Sequence, residues 1–168
     1  MCFAFEKNVG EAKVDVVKKH LIKLNPALQI EACKLKLDIN NLTELIQGNP
    51  DYLIDCIDDQ DTKTALLEYC YNKNIRVISS GGAGMKADPT KIKVNDISCT
   101  SYDALTKTIR ERLHAKQIYK GIPFIYSDEL TKRKLLDLQD HQKENPDQFR
   151  PLDKMRVRIV PVLGTMPS

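Results

Sequence analysis

Four aspartates crowd one short stretch, Asp55-Cys56-Ile57-Asp58-Asp59-Gln60-Asp61, directly after the apolar run Tyr52-Leu53-Ile54. Carboxylates are hard oxygen donors. Several of them in one turn have the chemistry to hold a divalent cation, and the cation in turn holds phosphate oxygens. The same spacing has a plainer reading, in which Asp58, Asp59 and Asp61 only complement the positive end of a helix dipole. Residue types alone leave both open. One helix later comes Ser79-Ser80-Gly81-Gly82-Ala83-Gly84. Glycines there let the backbone turn sharply or approach a ligand closely, and a plain turn is the simpler alternative. They do not form a phosphate-binding fingerprint, because no helical pattern follows them directly. Cys99 is a nucleophile candidate by type, yet nothing in Ser98-Cys99-Thr100-Ser101 depresses a thiol pKa.

The elements that position these residues follow from hydrophobic periodicity. Residues 52–54 read as a buried strand that runs into the acidic turn. A helix then starts near Thr62, with Asp61 or Thr62 as N-cap. Ala65, Leu66, Tyr69 and Cys70 make its core face, and Asn72-Lys73-Asn74 ends it. Residues 76–79 read as a buried parallel strand, as βαβ winding requires. Ligands of open α/β sheets bind at the carboxyl ends of the strands, which is where both the aspartates and the glycines fall. Upstream, Val9, Ala12, Val16, His20, Leu21 and Leu24 recur at helical spacing until Asn25-Pro26. Residues 28–37 suggest a further strand and residues 40–48 a short capped helix. Downstream, residues 92–97 and 122–126 suggest strands. Between them Tyr102, Leu105, Ile109 and Leu113 form a helix stripe. Lys107, Arg110, Arg112, His114 and Lys116 cover the rest of that helix, a pattern that ordinarily marks a solvated face. Residues 131–154 are polar, with a short helix around Leu135, Leu136 and Leu138, and residues 157–162 suggest a last strand limited by Pro161.

At 168 residues the chain has the length of one domain, and its 42% apolar content is enough for a core. Long apolar runs are absent, and no signal peptide or membrane span is visible. The net charge of +3 permits an RNA partner without demanding one. Five cysteines without CxxC spacing argue against disulfides and zinc, and Cys33, Cys56 and Cys70 read as buried free thiols.

The segment DYLIDCIDDQDTKTALLEYCYNKNIRVISSGGAG, followed by DPTKIKVNDIS, resembles the adenylating family that includes ThiF, MoeB and the ubiquitin-activating enzymes. Val9-Gly10-Glu11-Ala12-Lys13, the IRERL of residues 109–113, Lys120-Gly121-Ile122-Pro123 and the closing RVRIVPVLGTMPS point to its tRNA threonylcarbamoyladenosine dehydratase branch, of fungal type. The resemblance implies a partial Rossmann-like three-layer α/β/α fold with a mixed sheet, residues 1–168 forming one domain truncated at both ends. It implies ATP and Mg²⁺ as cofactors. Asp58 would hold metal and ATP as the catalytic residue, with Asp55 as a second cofactor contact and Lys13 on the phosphates; without the resemblance Lys13 is a solvated surface lysine. Gly81, Gly82 and Tyr126 would lie on the substrate side, and Lys107, Arg110 and Arg112 would meet RNA phosphates. Some relatives carry an adduct on a cysteine, which keeps Cys99 in view. The implied partners are tRNA and a second copy of the chain, without zinc, at the mitochondrial outer membrane or in the cytoplasm.

The family's opening strand, glycine-rich phosphate loop, ribose-binding acid and Asn-Arg pair have no counterpart here. The expectation is therefore a fragment, its missing half to be supplied by another chain, with millimolar Mg-ATP affinity at best. Three lost charge-assisted hydrogen bonds at ~1.5–3 kcal/mol each would remove most of the roughly −8 kcal/mol of a micromolar site. Two rival readings are a non-catalytic remnant or interaction subunit, and activation of a ubiquitin-like protein's C-terminus. Relatives of the latter kind usually show CxxC zinc pairs, and this chain has none.

Overall fold

β-branched and aromatic residues in short runs pair into the central sheet, seen here in a computed structural model that describes residues 8–48, 50–84 and 86–130. Strands β1 (Leu53–Asp55), β2 (Val77–Ser80) and β4 (Pro123–Ser127) run parallel, and β3 (Ile92–Asp96) lies antiparallel to β4. The order is β1-β2-β4-β3, which makes the sheet mixed at its C-terminal edge. The parallel pairing of β1 with β2 needs a crossover, and helix α3 (Gln60–Asn72) supplies it. Helix α4 (Ala104–Ala115) packs against α3. Leu66, Leu67 and Cys70 of α3, Ile109 and Leu113 of α4, and Phe124 of β4 are fully or almost fully buried and form the core. Asn74, just past α3, takes a left-handed backbone with φ of 55°, a common way to end a helix.

The chain divides after Leu45 into two compact units. The first holds α1 (Lys13–Leu24) and the one-turn α2 (Leu42–Leu45), with Val16 and Leu42 as their buried residues. The sheet, α3 and α4 belong to the second.

Four expectations need correction. The helix after the acidic turn begins two residues earlier than its sequence suggests, because the Asp59 carboxylate accepts the Thr62 N–H at 2.8 Å and takes the capping role assigned to Asp61 or Thr62. Residues 28–37 form no strand: no ladder partner meets them among the described residues, and Leu28 and Leu35 are exposed. Tyr102 lies outside the buried stripe of α4, exposed on a corner, and Thr106 takes its place. Of the three thiols expected inside, only Cys70 is buried; Cys33 and Cys56 are exposed. The helix and strand anticipated in residues 131–168 lie outside the described residues.

Candidate functional site

The acidic turn leaves the carboxyl end of β1 and is built around a buried ion pair. The Lys63 ammonium lies 2.7 Å from Asp55 Oδ2, with both side chains wholly buried. Lys63 also donates to the Ile57 carbonyl at 2.9 Å and sits 5.6 Å from the Phe124 ring centre. Asp55 accepts in addition from the Ser79 hydroxyl at 2.7 Å and the Ile57 N–H at 2.9 Å. Every polar atom of the pair thus has partners, the condition under which buried charge is tolerated. The next carboxylate, Asp58, is exposed, and no hydrogen bond or ion pair engages it among the described residues. Asp59 caps α3, and Asp61 pairs with Arg112 at 2.6 Å.

This geometry sorts the four aspartates. Asp55 and Asp59 hold the turn together, Asp61 reaches Arg112 of α4, and Asp58 is left facing solvent at the strand edge. No group of three or more His, Cys, Asp or Glu residues is placed to hold a metal ion by itself among the described residues. A magnesium ion that keeps several waters and binds through one carboxylate plus substrate phosphates fits a lone Asp58. It does not fit Asp55, whose oxygens are already taken. Lys63 was not singled out in the sequence, where a lysine two residues into a helix looks solvated.

The glycine loop is packed as well as accessible. Gly81 donates to the Ile125 carbonyl at 2.7 Å and Gly82 to Asp103 Oδ2 at 2.7 Å. Asp103 also caps α4 through the Thr106 N–H at 2.9 Å. A Cβ on Gly81 would overlap Asp103 Oδ2 and lie 2.8 Å from Thr106 Oγ1, so the glycine is required by this close approach. Gly81→Ala is expected to lower stability by about 1–3 kcal/mol through displacement of the cap, read as a shift of the urea midpoint at unchanged slope. Past the loop, buried Lys86 donates to the carbonyls of Tyr102 at 2.8 Å, Ser127 at 3.2 Å and Glu129 at 2.6 Å. Glu129 returns the contact, accepting the Ala87 and Asp88 N–H groups at 2.8 and 2.9 Å. Those two amides hold its carboxyl below the usual range.

The basic helix reads differently in three dimensions. Arg110 donates to the Thr100 carbonyl at 2.8 Å, the Thr100 hydroxyl at 2.7 Å and the Ile97 carbonyl at 3.3 Å, so its guanidinium closes the corner before α4. Arg112 is engaged by Asp61. Each of these contacts uses one nitrogen of its guanidinium. Among the described residues Lys107 makes only a loose 3.9 Å approach to Glu111. The Tyr126 side chain is buried in β4, and its hydroxyl donates to the Cys99 carbonyl at 3.4 Å. Cys99 is exposed, 3.7 Å from the Ser98 hydroxyl, and no base adjoins its sulfur among the described residues. Burial, with the Asp55 charge behind it, pushes the Cys70 thiol up to about 11 and keeps it unreactive at neutral pH. Lys13 opens α1 in the first unit, with an exposed side chain.

Comparison with known proteins places this geometry in a family context. Residues 2–166 match the ThiF family. The tRNA threonylcarbamoyladenosine dehydratase 2 of Saccharomyces cerevisiae is 42% identical over 172 residues, covering 98% of this chain and 38% of that protein. The Bacillus subtilis tRNA threonylcarbamoyladenosine dehydratase is 35% identical over 126 residues, 75% of this chain and half of that protein. Among solved structures, the E. coli dehydratase TcdA in complex with ATP superimposes with a TM-score of 0.72 at 31% identity, covering 77% of this chain and 56% of that one. The chain thus spans well under half the length of its yeast relative.

Proposed function

This chain belongs to the ThiF family, and from that premise we propose that it serves in the ATP-dependent cyclisation of threonylcarbamoyladenosine in tRNA. The substrate carboxylate attacks the α-phosphorus of ATP and pyrophosphate leaves. An internal nucleophile of the same modified nucleoside then attacks the acyl carbon, and AMP leaves with the former carboxylate oxygen. Net loss is one water from the nucleoside. The support from the site is Asp58: a carboxylate with no engagement among the described residues at the carboxyl end of a parallel strand, on a turn fixed by buried Lys63.

Asp58 would hold Mg²⁺, which when bound offsets phosphate charge as pyrophosphate departs. Lys63 fixes the Ile57 carbonyl and so the turn that presents Asp58. Lys13 is assigned to the phosphates, and the backbone at Gly81 and Gly82 to the substrate side. Asp55 supports the site through Lys63 without touching nucleotide. A homodimer, and residence at the mitochondrial outer membrane or in the cytoplasm, belong to the same proposal; no helix among the described residues is long and apolar enough to cross a membrane.

The test is to incubate the full-length protein with tRNA bearing the linear nucleoside. Mass spectrometry of the digested RNA should show a nucleoside lighter by one water only when Mg-ATP is present. Its formation after removal of the metal with EDTA, or without ATP, would refute the reading.

A further inference from the structure

Beside α4 the chain opens a cleft of about 460 Å³, within the roughly 300–1,000 Å³ range of small-ligand sites, and nothing above assigns it. Its wall is unusual in one respect. Tyr102 sits in the left-handed backbone region with φ of 55° and leaves its side chain 63% exposed. A bulky residue in that conformation is strained, and an exposed ring returns no core packing for it. The surrounding structure nevertheless fixes Tyr102 from both sides. Buried Lys86 holds its carbonyl at 2.8 Å, and the next residue, Asp103, is tied to Gly82 and to the first turn of α4.

The rest of the cleft is polar. Lys107 brings an ammonium whose only approach among the described residues is the 3.9 Å one to Glu111, itself on the rim. Ser101 and Thr108 bring hydroxyls, that of Thr108 donating to the Ala104 carbonyl at 3.1 Å, and Arg110 forms the floor, with one guanidinium nitrogen bonded to Thr100 and Ile97. Through Asp103 the cleft adjoins the glycine loop at the carboxyl end of β2, the strand beside β1 from which Asp58 follows.

An aromatic face, one cation and two hydroxyls are the parts that take an unpaired nucleotide: the base stacks, the cation meets the phosphate, and the hydroxyls reach the sugar or phosphate. We infer that this cleft binds one nucleotide of single-stranded RNA, with its base on Tyr102 and its phosphate on Lys107. The inference rests on the RNA-substrate reading above. It adds a base-stacking contact at Tyr102 to the phosphate contact expected of Lys107. The bound nucleotide is a neighbour of the one undergoing reaction, so the cleft sets the register of the RNA strand.

The experiment is a fluorescence-anisotropy titration of the full-length protein with a fluorescein-labelled anticodon stem-loop RNA. Tyr102→Gly removes the ring and relieves the backbone, so it should weaken binding roughly 5- to 100-fold while the thermal midpoint holds or rises. Tyr102→Trp, which keeps a stacking face, should bind as the parent does. Lys107→Ala should lower the slope of log affinity against log salt by about 0.7, the value for one single-strand phosphate. Parent-like affinity in Tyr102→Gly, while the parent binds the stem-loop, overturns the cleft alone. A parent protein that fails to bind the stem-loop overturns the RNA reading and this inference with it.

Discussion

Asp58→Ala is expected to lose ATP-dependent cyclisation by about a thousandfold or more, with folding and RNA affinity unchanged. A metal-held phosphate cluster supplies several kcal/mol of charge stabilisation, and each 1.36 kcal/mol is tenfold in rate. The side chain is exposed and makes no hydrogen bond or ion pair among the described residues, so its removal should move stability by no more than about 0.5 kcal/mol. Its neighbour gives the contrast. Asp59→Ala deletes the cap of α3, and should cost about 0.5–2 kcal/mol of stability while turnover at saturating Mg-ATP persists. Rates of AMP release and urea midpoints on both variants read the two effects separately. Parent-like turnover by Asp58→Ala would return the turn to a purely structural role and leave the metal to other groups.

Lys63→Met should be the most destabilising single change in the sheet unit, by about 3–5 kcal/mol. The substitution preserves much of the side-chain volume but leaves the Asp55 carboxylate, 1% exposed, with only the Ser79 hydroxyl and the Ile57 N–H. It also frees the Ile57 carbonyl, so activity should fall in whatever fraction still folds. Adding Asp55→Asn to Lys63→Met removes the stranded charge and should recover part of the loss, giving a coupling energy well outside the additive range. Chemical denaturation of the two singles and the double measures it. A loss below about 1 kcal/mol in Lys63→Met would mean that water or a relaxed turn solvates Asp55, and the rigid presentation of Asp58 would lose its basis.

The acidic turn, the parallel pair around α3 and the strands near residues 92–96 and 123–127 were legible because each rests on short-range pattern; the mixed character of the sheet came only from the family resemblance. Apolar runs have strand length, aspartates precede a helical period, and glycines follow a strand. Most of the assignments that failed depended on which side-chain partners the folded turns bring together. Lys63 is the instructive case. It shares the i, i+3, i+4, i+7 face with Leu66, Leu67 and Cys70, so periodicity alone could have flagged it as buried. Its charge argued the other way, and only Asp55, brought alongside by the turn from β1 into α3, resolves the conflict. Arg110, beside buried Ile109, looked like a solvated cation until the corner at Thr100 folded onto it. Lys86 carried no local signal, since its acceptors lie 16, 41 and 43 residues further on. Residues 28–37 had strand-like alternation, but alternation is realised as a strand only where a ladder partner exists.

The fate of the substrate's carboxylate oxygens tests the central claim most directly. With tRNA whose threonylcarbamoyl carboxylate is enriched in oxygen-18, adenylation at the α-phosphorus followed by ring closure must leave one labelled oxygen in the AMP released. Mass spectrometry of the nucleotide products after turnover by the full-length protein should therefore show singly labelled AMP and unlabelled pyrophosphate. Unlabelled AMP, or label appearing instead in inorganic phosphate alongside ADP, would contradict carboxylate adenylation on this chain.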